Sequence, residues 1–405
     1  MSFNKASVRD AEVAGRRVLV RVDFNVPLEG GEVADDMRIR AALPTIELLR
    51  ERGAALVLAS HLGRPEGKPD PALSMAPVGR RLGELLGVEV TQASSVVGDR
   101  VDLHGGALGP GDVMLLENTR FEPGETENDP KLAEALAQLG SLYVNDAFGA
   151  AHRAHASTEG VAHHLPGYAG LLLQREVEEL TAVVESPRHP LVVVLGGSKV
   201  SDKIGVIDRF LDVADQILIG GAMCFSFFRA QGTATGDSLV EEAGVELAAK
   251  ALARAEESDC KLTLPVDLVL GRGFAADTER RQSDGVEVPD GWMGLDIGPR
   301  SAETYAHAVA AAGTVLWNGP MGAFEMEPFA AGTRTVAEAV AAAPGTTVIG
   351  GGDSVAAMRK FGLDDRVDWL STGGGASLEL LEGKKLPGVG ALLDQETPTK
   401  EPSNA

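Results

Sequence analysis

Short apolar, β-branched runs recur along the chain, each ending in a polar or glycine-rich turn. In the first half they are RVLVRVDFN (17–25), ALVLASHLG (55–63), DVMLLENTR (112–120) and SLYVNDAFG (141–149). In the second half they are PLVVVLGGSK (190–199), DQILIGGAM (215–223), DLVLGRG (267–273), GTVLWNGP (313–320), TTVIGGGDS (346–354) and VDWLSTGGGAS (367–377). Continuous apolar strands, as opposed to alternating ones, are the pattern of parallel strands buried on both faces. Helical periodicity fills many of the gaps, as in IRAALPTIELLRERG (39–53), KLAEALAQLG (131–140) and SLVEEAGVELAAKALARAEE (238–257). Strand–helix alternation predicts right-handed βαβ units and three-layer α/β architecture. There are two such series. Between them, GLLLQREVEELTAVVESPRHP (170–190) places Leu172, Val177, Leu180 and Val183 at helical spacing, and Pro187 and Pro190 mark the exit. The expected organisation is a first domain over 1–169, a connecting helix over 170–186 and a second domain over 187–385.

Composition narrows the function classes. The chain has 405 residues, of which 44% are hydrophobic and 24% charged, ample for packed cores. No apolar run approaches the ~20 residues of a membrane helix. The N-terminal MSFNKASVRDAEVAG has no apolar stretch before a cleavage site, so no signal peptide is expected. Cys224 and Cys260 cannot form a disulfide framework or a four-thiolate metal site, and the expected location is a reducing cytoplasm. Lys and Arg total 37 against 59 Asp and Glu, a net charge of −22. So acidic a chain is a poor general binder of nucleic acid, whose affinity rests on phosphate neutralisation. No long exposed apolar stripe is evident, and a monomer is expected. The polar tail 395–405, with its two prolines, is expected to be disordered.

Against this acidic background the placement of basic and glycine residues is informative. Gly196-Gly197, Gly220-Gly221, Gly350-Gly351-Gly352 and Gly373-Gly374-Gly375 all follow strands of the second half. Ligand crevices of open α/β sheets lie at the carboxyl ends of strands, where glycine lets backbone N–H groups approach phosphate. Turn formation explains any single pair; the repetition at one end of one sheet predicts a phosphate-binding crevice. Lys199 and Lys203, four residues apart after Gly196-Gly197-Ser198, share one face of the following helical stretch. The pattern is not GxxxxGK[ST]. Asp353 stands at a helix start beside glycines, as an N-cap or as a Mg²⁺ partner, since Mg²⁺ on phosphates needs only one or two carboxylates. In the first half, Asp23 and Asn25 lie on one side of an extended segment. Arg38 begins a helix, His61 and Arg64 end one strand, Arg120 ends another, and His152 and Arg153 follow a fourth. Guanidinium forks match phosphate and carboxylate oxygens, so this set predicts a site for a small anion. GRGFAA (271–276) has the GxGxxA spacing of a dinucleotide fingerprint, but DTERRQSDGVEVPDG after it is charged and turn-rich. A pyrophosphate there would lack its helix terminus, which counts against a nicotinamide-dependent oxidoreductase.

From about residue 5 to Asp394 the chain resembles the phosphoglycerate kinase family. The resemblance rests on RVDFNVP, MRIRAALPTI, ASHLGRP, LLENTRF, VNDAFGAAHRAHAS, GGSKVSDKI, GLDIGP, WNGPMGAFE, GGGDS and STGGGAS, in that order. It implies two Rossmann-like α/β domains with parallel sheets joined by a helix, residues 386–394 returning to the first. It implies an enzyme transferring a phosphoryl group reversibly between ATP and the carboxylate of 3-phosphoglycerate, giving ADP and 1,3-bisphosphoglycerate, in glycolysis. The substrate set it implies is Asp23, Phe24, Asn25, Arg38, His61, Leu62, Gly63, Arg64, Arg120 and Arg153. The nucleotide set is Lys199, Lys203, Gly220, Gly221, Gly294, Pro320, Glu325, Gly351, Gly352, Asp353 and Ser354, with Glu325 on the ribose and Asp353 on Mg²⁺. Arg38, Lys199 and Gly373–Gly375 are the implied catalytic groups. No general base is required, because the acceptor carboxylate is ionised at neutral pH. Ligands on different domains imply hinge-bending closure about the 170–186 helix. Ala222 and Ser354 stand where many members carry glycine and threonine.

Overall fold

The computed structural model describes residues 3–395. The chain divides into two compact units, one built from the residues up to Glu178 together with those from Lys385 onward, the other from Glu179–Lys384. The helix Leu171–Glu185 contains that division. The expected tail, apart from Gln395, lies outside the described residues.

The first unit is organised by a six-stranded sheet in the order 90–92, 113–115, 55–59, 17–21, 142–145, 167–169. Every pairing in it is parallel. Its inner strands are aliphatic throughout because both faces are covered: Val18, Val20, Leu56, Leu58, Leu115 and Val144 are all fully buried. The chain runs outward in one direction after the 17–21 strand and in the other after crossing to 142–145, so the sheet's topological switch point lies between those two strands. The helix Pro130–Ala137 shows the local logic of the connections. Asp129 accepts from the N–H groups of Lys131 (2.7 Å) and Leu132 (3.0 Å), Pro130 takes the first helical position, and Leu132 and Leu136 turn inward.

The second unit repeats the plan with a six-stranded parallel sheet in the order 261–263, 216–219, 191–195, 314–318, 346–350, 369–370. Its switch point lies between 191–195 and 314–318. One expected parallel strand belongs elsewhere. Leu268–Gly271 pairs antiparallel with Arg280–Gln282 and Met293–Ile297 in a separate three-stranded sheet. Four apolar residues specify burial but carry no information on strand direction. The expected helix over 238–257 begins at Glu242, and the one over 131–140 is confined to 130–137. No helix of the described residues is long and apolar enough to cross a membrane.

Candidate active site

In the first unit the anion-binding candidates sit where the inner strands end. The 17–21 strand delivers Asp23, Phe24 and Asn25, and the neighbouring 55–59 strand delivers His61–Arg64. Asn25 Oδ1 accepts from Gly63 N–H (2.9 Å), and Arg120 Nη1 donates to Gly63 O (2.6 Å). Gly63 has φ +61°, a left-handed conformation that exposes both backbone groups to those partners. Asp23 is ion-paired with Arg38, in the first turn of the helix Met37–Glu51. Burial raises the Asp23 carboxyl, but the charges of Arg38 and Arg21 and the Asn25 N–H outweigh it and hold the group below its ordinary value. Burial drives His61 well below the ordinary histidine range despite Asp23, so its ring is neutral. Burial, then Arg153 and Arg21, pull Arg120 to about 10, still charged at neutral pH. Arg64 and Arg153 are exposed, and Arg153 Nε lies 3.0 Å from His152 Nε2. Phe24 and Leu62 are buried. Phe24 N–H is spent on Ser60 Oγ, and both backbone groups of Leu62 are held by Asn118. These two residues therefore carry the loop; their side chains do not present chemistry to a ligand.

In the second unit the strand-end loops interlock backbone to backbone. Gly196 N–H donates to Asn318 O (3.0 Å), Gly197 N–H to Pro320 O (3.1 Å) and Gly221 N–H to Met321 O (2.9 Å). A Cβ on Gly221, whose φ is +65°, would lie 2.5 Å from the Gly197 nitrogen. The same approach leaves Gly220 against Met321. Beside these loops lies a cavity of about 550 Å³ lined by Gly197, Gly221, Ala222, Gly294, Pro320, Glu325 and Asp353. Its volume suits a nucleotide-sized ligand. At Gly294 any Cβ would overlap the Phe225 ring, which forms part of the wall.

Lys203 is buried, and its Nζ donates to Asn318 O (3.0 Å) and to Asn318 Oδ1. Burial lowers its ammonium to about 8, against the opposing pull of Asp202 and Asp353. Lys199 is exposed on the same loop, where Glu241 accepts from Ser201 N–H (3.0 Å). Ser354 is buried, and its Oγ accepts from Gly319 N–H (2.5 Å), tying the Gly351–Ser354 turn to the adjacent strand end. Asp353 lies in the first turn of the helix Gly352–Lys360, exposed and facing the cavity. Gly373 N–H donates to Ser371 Oγ (3.2 Å), Gly374 has φ +54°, and the following helix starts at Gly375.

The cavity also has a wall that sequence reading missed. Phe225, Leu239, Phe274, Leu295 and Met321 line it. Apolar residues give no sequence signal that separates a pocket wall from a core. Leu239 and Phe274 differ in being 62% and 71% exposed, large apolar side chains on loops beside the glycine-rich turns.

A profile of the phosphoglycerate kinase family matches residues 8–384. The chain belongs to the phosphoglycerate kinase family. It is 54% identical over 400 residues to phosphoglycerate kinase of Chloroflexus aurantiacus, covering 97% of this chain and 100% of that one. Against phosphoglycerate kinase of Moorella thermoacetica the identity is 55% over 391 residues, with 96% and 100% covered. The structure of phosphoglycerate kinase from Coxiella burnetii superimposes with a TM-score of 0.85 at 42% identity, covering 96% of this chain and 98% of that one. The chain is accordingly an enzyme, a phosphotransferase of glycolysis.

Proposed function

We propose that the first unit binds 3-phosphoglycerate, that the second binds ATP or ADP with Mg²⁺, and that the phosphoryl group passes directly between them. The observation that carries this reading is the cavity at the second sheet's switch point, where interlocked glycine loops and the carboxylates of Glu325 and Asp353 meet an apolar wall, with the buried Lys203 bonded to Asn318 at the adjoining strand end. Nucleotides require that combination: apolar surface for the base, backbone N–H groups and an ammonium for phosphates, a carboxylate for the metal.

In the first unit Arg38, Arg64, Arg120 and Arg153 supply charge-assisted donors for a phosphate and a carboxylate, with Asp23 and Asn25 placed for the substrate hydroxyl. In the second, Lys203 and Lys199 meet nucleotide phosphates, Glu325 accepts from the ribose, and Pro320, Gly220, Gly221 and Gly294 flank the adenosine. The donor set fits Mg²⁺ on phosphate: Asp353, in the first turn of the helix that follows the Gly350–Gly352 turn, faces the cavity, and no group of three or more His, Cys, Asp or Glu among the described residues forms a protein-only cage. Bound there, Mg²⁺ would neutralise charge on the phosphate oxygens. Transfer needs no base, because the acceptor is a carboxylate. Positioning and charge stabilisation by Arg38, Lys199 and the N–H groups of Gly373–Gly375 do the work. Ligands on separate units imply closure, with the Leu171–Glu185 helix as hinge. A cytoplasmic monomer fits the acidic chain and its two buried, free cysteines.

Calorimetry tests the division of labour. Lys203→Met is expected to lose ADP binding and keep 3-phosphoglycerate binding, and Arg64→Ala the reverse. Loss of both ligands in either variant, with the fold intact, would contradict the assignment.

A further inference from the structure

Arg21 is the most deeply buried arginine of the first unit, 1% exposed, and nothing in the transfer reaction as described uses it. Its three nitrogens are committed in three directions. Nε donates to Ser157 Oγ (2.7 Å), Nη1 to Val22 O, and Nη2 lies 3.1 Å from His61 Nδ1. A guanidinium has donors and no acceptor, and it does not lose its proton in proteins. His61 Nδ1 must therefore accept, and the ring proton must sit on Nε2. The opposite tautomer would set N–H against N–H. Nor does Asp23 favour it, because Asp23 Oδ1 stands 4.0 Å from Nδ1, beyond hydrogen-bond reach.

The guanidinium is itself fixed from behind. Ser157 Oγ donates to Glu125 Oε1 (2.6 Å) and Ser157 N–H to Glu125 Oε2 (3.0 Å), so the hydroxyl proton points at the carboxylate and its lone pair faces Arg21. Glu125 is fully buried. The result is one polarised chain from Glu125 through Ser157 and Arg21 to His61.

We infer that Arg21 is a positioning residue that locks His61 as the neutral Nε2–H tautomer, making Nε2 an obligate donor to an oxygen of the anionic substrate. The inference rests on the reading of His61 as a substrate contact. A lone histidine of ordinary pKa would divide its neutral form between two tautomers and a charged form. The lock removes that choice before the ligand arrives, so no binding free energy is spent on selecting the tautomer.

The test is long-range ¹H–¹⁵N NMR of the imidazole groups in the full-length, ligand-free chain at neutral pH, with His61 assigned by its absence in His61→Gln. The expected spectrum has His61 Nδ1 bare and Nε2 protonated. A protonated Nδ1 in the intact chain would overturn the lock, and this readout does not depend on any variant folding. In Arg21→Met the single-tautomer signature should be lost and 3-phosphoglycerate affinity should fall about tenfold or more. Retention of the same tautomer in a folded Arg21→Met would equally overturn it. Titrating 3-phosphoglycerate into the intact chain isolates the underlying reading. His61 resonances that do not move would remove His61 from the substrate site even with Nε2 protonated, and with it the positioning role.

Discussion

Removing the chain after Lys385 should destabilise the first unit and weaken its anion site, whereas removing it after Gln395 should do neither. Leu386 and Leu392 are each 3% exposed. Their burial contributes roughly 1.5–3 kcal/mol apiece. The backbone is tied as well. Gly388 N–H donates to Ala151 O (2.9 Å), Leu393 N–H to Gly167 O (2.9 Å), and Ala6 N–H to Leu393 O (2.8 Å). Lys5 Nζ donates to Gly390 O (3.0 Å) and Leu392 O (2.9 Å). The fully buried Asn145 donates through Nδ2 to Gly388 O (2.9 Å), leaving only Thr158 O at 3.5 Å once that carbonyl is gone. An orphaned buried donor costs about 1–3 kcal/mol. Freed conformational entropy of the segment offsets part of the total, so a net loss of about 2–4 kcal/mol is expected. At about 2–4 °C per kcal/mol for a unit of this size, Tm should fall by roughly 5–15 °C. The site is affected because Ala151, which receives Gly388, is two residues from Arg153, and Asn145 Oδ1 accepts from Ala147 N–H (3.1 Å) in the same loop. Thermal melts with and without 3-phosphoglycerate, alongside KM for that substrate, decide it. Equal melting of the two truncations would refute the reasoning. The Leu393 side chain, 43% exposed, adds little to this docking beyond its backbone bonds.

Asp146 gives a pH prediction. It accepts from Leu172 N–H (2.9 Å) and Leu173 N–H (3.3 Å) through Oδ1, and burial raises its carboxyl to about 7. The folded state thus holds a proton that the unfolded state, near 3.9, releases. Stability from this group is fully present below about pH 4 and declines as pH rises toward 7; Asp146→Asn should flatten denaturant-measured stability across that window, and an unchanged slope would count against it. Arg38→Ala should lower kcat far more than it raises KM for 3-phosphoglycerate, since its charge matters most while phosphoryl charge is spread; steady-state kinetics showing only a KM effect would make it a binding residue. Asp353→Asn should weaken MgATP use at least tenfold and leave 3-phosphoglycerate calorimetry nearly unchanged; equal losses would refute its place on the metal.

Much of the fold is legible in the chain because its parallel strands are buried on both faces. RVLVR, ALVLA, LVVVL and TVLWN have no polar alternation to obscure them, and each is a fully paired inner strand. Direction is not encoded in such runs, so LVLG at 268–271 reads like the others and yet pairs antiparallel. On the site, glycine pairs and clustered arginines are visible because they break the acidic, apolar background. The apolar wall around Phe225 and Phe274 is not, since packing and ligand contact ask for the same side chains. Nor does sequence separate Arg21 from Arg38. Both are arginines near strand-end motifs, and only three-dimensional partners show one buried against Ser157 and His61 and the other paired with Asp23.

The central claim is direct phosphoryl transfer between a nucleotide on one unit and 3-phosphoglycerate on the other. A coupled assay that follows 1,3-bisphosphoglycerate formation from ATP tests it most directly. Product should form only when ATP, Mg²⁺ and 3-phosphoglycerate are all present, and both Lys203→Met and Arg38→Ala should abolish most of it. ATP consumption that proceeds without 3-phosphoglycerate, or product formation that survives both substitutions, would contradict the account.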